Sequence, residues 1–121
     1  MSDLQGKRIA AYARSSTDQG AASIADQLRV CHEYARCRGG IVDEALTFTE
    51  HGVGGLSTAR SGLQDLQNAV SSGLLDVVLT EDLSRIGRSV ANNERLLNEL
   101  SRAGARVIAI NDGFDSEERN A

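Results

Sequence analysis

The chain has 121 residues, of which 40% are hydrophobic, and its formal charge at pH 7 is −4. This size and apolar content suffice for one domain with its own core, and no apolar run approaches the length needed to cross a membrane. Free-standing nucleic-acid-binding modules usually have a strongly basic surface, so any contact with DNA must be local or supplied elsewhere. The N-terminus lacks the apolar segment of a secretory signal, which makes the cytoplasm the expected compartment.

The first half of the chain predicts two strands separated by a helix. Residues 8–13 form a short apolar strand, and a polar loop leads from it to a capping box with Ser23 as the N-cap. The apolar spacing that follows predicts a helix over residues 24–38, which a pair of glycines ends. Residues 41–49 alternate as a second strand. The glycine-rich stretch at 51–59 has no pattern and predicts a loop suited to closing over a substrate.

The second half continues the alternation of helices and strands. A capping signature at Ser61 predicts a short helix that ends near Gly73. Residues 74–80 form the strongest buried strand of the sequence. An apolar stripe predicts a helix from about 89 to 103, and residues 106–110 form the fourth strand.

The two cysteines and two histidines show no pattern of a disulfide or a metal site. Cys31 and Cys37 lie six residues apart within a predicted helix, so they occupy different faces and cannot reach disulfide geometry. His32 and His51 have no ligand-type spacing with them. We therefore expect no metal and no cofactor, with both histidines exposed to solvent.

This order of elements predicts an α/β fold of three layers, α/β/α, around a doubly wound and mainly parallel sheet. Ligands of such sheets bind outside the carboxyl ends of the strands. Polar residues follow three of the predicted strands: Arg14 and Ser16, Glu50, and Arg85 with Arg88. Polar loops occur at this edge in every such fold, so their placement alone does not establish a site.

The end of the first strand has the residues for phosphoryl transfer. Strand alternation puts Tyr12, Arg14 and Ser16 on one side and Ser15 on the other, which favours Ser16 as a nucleophile. The forked donors of a guanidinium match phosphate oxygens, and a serine hydroxyl can attack phosphorus once the developing charge is stabilised. The alternative is structural, because serine and threonine after a strand often form a turn or cap a helix.

Four segments in the chain carry a resemblance to a known family. They are Tyr12-Ala13-Arg14-Ser15-Ser16 followed by Gln27, then Phe48-Thr49-Glu50, then Arg60-Ser61-Gly62-Leu63, and finally Leu83-Ser84-Arg85-Ile86-Gly87-Arg88. In this order, over roughly residues 8–116, they resemble the catalytic domain of the serine recombinases, which include resolvases, invertases and large phage-type integrases. The stretch at 23–27 is closer to the large recombinases, and Ser84 stands where many relatives have aspartate.

The resemblance implies a mechanism and a set of site residues. Ser16 would attack a DNA phosphodiester, forming a 5′-phosphoserine link and freeing a 3′-hydroxyl, with no metal ion. Four arginines would surround the scissile phosphate: Arg14, Arg60, Arg85 and Arg88. Three further residues would support them: Tyr12, Gln27 and Glu50. The general acid and base are not assigned.

The resemblance also implies partners and a larger protein. The expected partner is double-stranded DNA, with a homodimer on each site and a synaptic tetramer in the full-length protein, and no membrane. Residues 1–121 would be one catalytic domain, monomeric or loosely associated by itself. The family's long dimerisation helix and DNA-binding region are absent from this chain.

Two non-catalytic interpretations stay open. A receiver-type signalling module would gather carboxylates and a lysine around magnesium at the strand ends, whereas this sequence gathers arginines there, and Asp112 with Asp115 makes a poor acidic pocket. A recombinase-like regulatory domain that has lost activity is the other. The presence of Ser16 together with the motif arginines argues against it.

Overall fold

A computed structural model describes residues 3–15, 23–51, 61–82 and 90–117. The elements in chain order are β1 (Ile9–Ser15), α1 (Ile24–Cys37), β2 (Val42–His51), α2 (Ser61–Ser71), β3 (Val77–Thr80), α3 (Val90–Arg102), β4 (Arg106–Ala109) and β5 (Phe114–Asp115). The strands form one sheet in the order β2-β1-β3-β4-β5, in which only the pairing of β4 with β5 is antiparallel. The predicted α/β class with a mainly parallel sheet is confirmed.

The sheet is the middle of three layers, as predicted. α1 covers one face, which we call the α1 face, where the following buried side chains meet: Ile9, Ala11, Cys31, Ala35, Val77, Leu79 and Ile108. α2 and α3 cover the opposite face, the α2/α3 face, where another set packs: Ala10, Tyr12, Leu63, Leu66, Val70, Val78, Leu96, Leu97, Leu100 and Val107. β1, β3 and β4 supply side chains to both cores because their side chains alternate between the faces.

The predicted helix ends agree well with the structure. Ser23 caps α1, since its Oγ accepts the backbone N–H of Asp26 at 3.1 Å. The three helices are followed by glycines with positive φ, namely Gly39, Gly73 and Gly104, a conformation that glycine adopts without steric cost. Among the described residues, no helix is long and apolar enough to cross a membrane.

Three predicted boundaries were wrong. β3 begins at Val77 rather than at residue 74, because Leu74 is 53% exposed and belongs to the turn after α2. β1 and β2 each end two residues later than predicted, at Ser15 and at His51. β5 was missed, since a two-residue strand that returns through a turn is too short to show alternation. The cysteine prediction is confirmed, with Cys31 buried and Cys37 exposed.

β2 changes the face it presents partway along its length. Two steps along β1, from Ile9 to Ala11, are matched by five steps along β2, from Val42 to Thr47. The three extra residues are an odd number, so the side-chain alternation reverses. Val42 therefore packs on the α1 face, whereas Leu46 packs on the α2/α3 face. Glu50 shares the parity of Leu46 and lies on the α2/α3 face too.

Leu79 offers a direct test of the central core. It lies on β3 between two neighbouring strands and is fully buried. We expect Leu79→Ala to lower the free energy of unfolding of this chain by about 2–5 kcal/mol, through lost burial and the cavity left behind. Leu74→Ala is the matched control, and its effect should stay within ~0.5 kcal/mol because that side chain is half exposed. Urea unfolding of both variants checks this, and equal losses would contradict the packing described.

Ion pairs gather at the edge where the parallel strands begin. Arg106, the first residue of β4, donates to both carboxylate oxygens of Asp115, at 3.0 and 2.6 Å. Asp3 contacts Arg106 at 3.4 Å and Arg38 at 3.0 Å. Burial by itself would raise the pKa of Asp115, but hydrogen bonds from Arg106 and from the Glu117 N–H outweigh it and hold this pKa below its usual value. This edge is therefore stabilised by charge pairing.

The lowered pKa of Asp115 predicts a loss of stability in acid. A carboxyl group with a lower pKa in the folded state stabilises the fold above its unfolded-state pKa, about 3.9, and loses that contribution as the pH falls further. We expect Asp115→Asn to lower the free energy of unfolding by about 2 kcal/mol at pH 7. The gap between variant and wild type should narrow below about pH 4. Urea unfolding at pH 7, 5, 4 and 3 measures it, and a gap independent of pH would contradict the assignment.

Candidate active site

The strand order reverses between β1 and β3, and in the sequence these are the two strands at whose ends two of the motif segments come. β1 leads into α1 on one face of the sheet, while β3 leads into α3 on the other. In doubly wound sheets, ligands bind at the carboxyl ends of the strands on either side of such a reversal. Ser16 directly follows the last residue of β1, and Arg85 comes three residues after Asp82, the last described residue beyond β3.

Gln27 holds the backbone of Arg14. β3 pairs with β1 only as far as Tyr12, opposite Thr80, so the Arg14 peptide lies beyond the end of β3. The Arg14 N–H donates to Gln27 Oε1 at 3.1 Å, and Gln27 Nε2 donates to the Arg14 carbonyl at 2.9 Å. A primary amide has one acceptor and a donor side by side, so it supplies both hydrogen bonds that a neighbouring strand would make. Gln27 is fully buried, and it fixes the end of β1 just before Ser16.

Tyr12, Arg14 and Glu50 lie on the same face of the sheet. Tyr12 is fully buried in the core of the α2/α3 face, and Arg14 follows it two residues later along a regular strand. Arg14 is the register partner of Glu50 on the neighbouring strand. Parallel strands lie about 4.8 Å apart, so the acidic and basic residues are immediate neighbours. The structure therefore brings these three predicted site residues together.

Glu50 also contacts the start of α2. Its Oε1 accepts the backbone N–H of Leu63 at 3.1 Å, and its side chain is buried. Leu63 is the third residue of α2, so the hydrogen bond satisfies one of the amide groups that a helix leaves unpaired at its N-terminus. The partial positive charge of this helix end favours a carboxylate. Glu50 thereby connects the end of β2 to the helix that directly follows Arg60.

Two polar residues near the end of β3 escaped the sequence analysis. Thr80 is fully buried, and among the described residues its Oγ1 has no hydrogen-bond partner. Glu81 is buried as well, and its charge adds to the effect of burial in raising the pKa of the Cys31 thiol to about 12. Their position in the sequence could have drawn attention to them, because both come at the end of an apolar strand, at the edge where the site was expected.

Four predicted site residues lie outside the residues that the structure describes: Ser16, Arg60, Arg85 and Arg88. Ser84, at the family's aspartate position, lies outside them too. The predicted loop at 51–59 also lies outside, apart from the backbone of His51. Among the described residues, no three histidine, cysteine or acidic side chains are grouped so that they could hold a metal ion. The predicted site residues that the structure does describe are Tyr12, Arg14, Gln27 and Glu50. Gln27 binds the Arg14 backbone, and Glu50 lies opposite Arg14 on the neighbouring strand.

Comparisons with known proteins agree with this architecture. The family model "Resolvase, N terminal domain" matches residues 9–121. The Tn3 transposon resolvase of Escherichia coli is 34% identical over 110 residues, which are 91% of this chain and 54% of the resolvase. The N-terminal catalytic domain of TP901-1 integrase superimposes with a TM-score of 0.79 at 29% identity, covering 92% of this chain and 82% of that one.

A second solved structure is similar at a comparable level. The catalytic domain of the IS607-like serine recombinase ISC1926 TnpA gives a TM-score of 0.70 at 28% identity, covering 84% of this chain and 67% of that one. The chain spans about half the length of the curated relatives it matches. The family model nevertheless covers nearly all of the chain. The chain belongs to the serine recombinase family, in which it corresponds to the resolvase N-terminal domain.

Proposed function

We propose that this chain is the catalytic domain of a site-specific DNA recombinase that cuts and rejoins DNA through a 5′-phosphoserine intermediate. One observation carries the proposal: β1 and β3 flank the point where the strand order reverses, and the two motif segments follow their carboxyl ends. That topology favours a shared site for Ser16, Arg85 and Arg88.

In the proposed reaction, the Ser16 hydroxyl attacks the phosphorus of one DNA strand. Oγ gives up its proton as it bonds to phosphorus, the bond to the 3′-oxygen breaks, and the departing oxygen takes up a proton to become a 3′-hydroxyl, so the step consumes no net proton. Charge on the phosphate oxygens grows in the transition state, and guanidinium groups held in place beforehand stabilise it. We assign this role to Arg14, Arg60, Arg85 and Arg88.

The supporting residues hold these groups in position. Gln27 fixes the N–H and the carbonyl group of Arg14 through two hydrogen bonds, two positions before Ser16 in the chain. Glu50 lies beside Arg14 and at the start of α2. Its negative charge there reduces the electrostatic repulsion among several arginines. Preorganisation of this kind lowers the barrier because no rearrangement is needed when charge develops.

The full activity belongs to a longer protein in this proposal. A dimerisation helix and a DNA-binding region, not found in these 121 residues, would join the chain to double-stranded DNA as a dimer and pair two dimers in a synaptic tetramer. The acidic balance of the domain fits this division, because the other region would carry most of the phosphate contacts. The expected compartment is the cytoplasm.

The test is to trap the intermediate and locate its covalent bond. The longer protein is incubated with DNA that contains its recombination site, in buffer with EDTA, then quenched in denaturant, digested and mapped by mass spectrometry. We expect a nucleotide linked through phosphate to Ser16 and a free 3′-hydroxyl at the break. No adduct despite DNA binding and synapsis would favour the regulatory interpretation, and adduct formation abolished by EDTA would contradict the metal-free scheme.

A further inference from the structure

We propose that Gly62 and Glu50 are positioning residues that seat the first turn of α2 on β2, and so fix the point from which Arg60 reaches the scissile phosphate. The inference rests on the proposed function, since it assigns a partner to one of its arginines. It concerns residues of α2 and β2 that the catalytic scheme itself does not use for bond making.

Gly62 allows an unusually close approach of helix to strand. A Cβ atom at this position would lie 2.5 Å from the carbonyl oxygen of Thr49 and 2.9 Å from its carbonyl carbon. Real Cβ atoms essentially never come closer than 3.0 Å, and the atoms in question are backbone atoms of a paired strand that cannot swing away. Any residue other than glycine therefore displaces the start of α2 from β2.

Glu50 supplies the attraction that holds this contact. Its Oε1 accepts the N–H of Leu63, while its Cβ would be only 3.2 Å from a Cβ on residue 62. The hydrogen bond and the close approach thus act on the same turn of helix from the same two residues of β2. Glycine inside a helix lowers helix propensity compared with alanine, so close packing, and not helix formation, explains Gly62 here.

Arg60 is the residue immediately before α2, and consecutive Cα atoms are about 3.8 Å apart. A shift of the first turn would therefore shift the point at which the chain from Arg60 joins the helix. An error of about 1 Å in the placement of a catalytic group can lower a rate by about 100-fold. The contact between the first turn of α2 and β2 therefore influences the position of one arginine of the proposed site.

The experiment is a double-mutant cycle in the longer protein, read out as the rate of phosphoserine formation. We expect Gly62→Ala to slow this rate about 100-fold in the wild-type background and to have no further effect in Arg60→Ala. A purely structural role for Gly62 predicts the same fold-loss in both backgrounds, and that result would overturn the proposal.

Gly40→Ala is the matched control for general destabilisation. A Cβ there would also be crowded, at 2.5 Å from Ile9 Cδ1 and 2.9 Å from the Leu4 carbonyl oxygen, but at the opposite end of the sheet. With both variants shown to be folded by thermal melting, Gly40→Ala should leave the rate within about threefold of wild type. An equal slowing by both variants would overturn the proposal.

A second pair of variants keeps the test decisive if Gly62→Ala does not fold. Glu50→Gln keeps an oxygen that can accept the Leu63 N–H, whereas Glu50→Leu removes it. We expect Glu50→Gln, which loses only the charge, to slow the rate clearly less than Glu50→Leu, which loses both the charge and the hydrogen bond to α2. Equal losses would assign Glu50 to charge pairing instead and overturn its part in the seat. Absence of any adduct in the wild type would contradict the proposed function itself, which none of these variant outcomes does.

Discussion

Ser16→Ala is expected to abolish covalent joining of the longer protein to DNA. Removing a nucleophile lowers the chemical step by at least ~10⁴-fold, because no other group at the site replaces the missing oxygen. Binding to the recombination site should stay the same, since the change removes one hydroxyl and no positive charge. The measurement compares adduct yield with retention of DNA in a mobility-shift assay, both at the same salt concentration.

Ser15→Ala is the matched control for this prediction, because it makes the same chemical change one residue earlier. Ser16 has the chain parity of Tyr12 and Arg14, whereas Ser15 has the opposite parity, and β1 pairs regularly with β2 from Ala11 through Ser15. We expect Ser15→Ala to keep the rate within a few-fold of wild type. Loss of the adduct in Ser15→Ala with its retention in Ser16→Ala would reassign the nucleophile while preserving the reaction class.

Gln27→Met is expected to slow phosphoserine formation by about 100-fold. Methionine fills a similar buried volume but can replace neither hydrogen bond to the Arg14 peptide, so the end of β1 loses its support beyond β3. The free energy of unfolding should fall as well, by about 2–3 kcal/mol, because a backbone N–H and a carbonyl group are left without these partners. Single-turnover cleavage and urea unfolding measure the two effects separately.

A comparably destabilised variant separates positioning from stability. Asp115→Asn is expected to cost about 2 kcal/mol at neutral pH, yet it changes an ion pair where the parallel strands begin, far along the sheet from Gln27. At a temperature where both variants are folded, Asp115→Asn should cleave at nearly the wild-type rate. If the two variants lost activity in proportion to their lost stability, Gln27 would have no positioning role.

The fold could be predicted because its signals are local. Strong apolar periodicity, the Ser23 cap and the glycines after the helices each depend on a few neighbouring residues, and the structure agrees with them. The boundary of β3 and the existence of β5 could not be predicted. Both depend on which residues find a partner strand, and that choice is made by tertiary contacts that a short apolar run does not encode.

Of the candidate site, the sequence named residues but not the contacts between them. The family resemblance named Tyr12, Arg14, Gln27 and Glu50, and the structure brings these four together near the carboxyl ends of β1 and β2. The sequence could not show that Gln27 binds the backbone of Arg14, or that Glu50 contacts α2. These contacts join residues that are 13 positions apart in sequence and depend on how α1 and α2 pack on the sheet.

The three extra residues of β2 mark a place where this strand can change in length without disturbing the site. Val42 and Thr47 each have their own register partner on β1, so the residues between them lie outside the regular pairing. Without the three extra residues, Val42 would still lie opposite Ile9 and Glu50 would still lie opposite Arg14. We therefore expect deletion of three residues between Val42 and Thr47 to leave the Glu50 carboxylate beside Arg14.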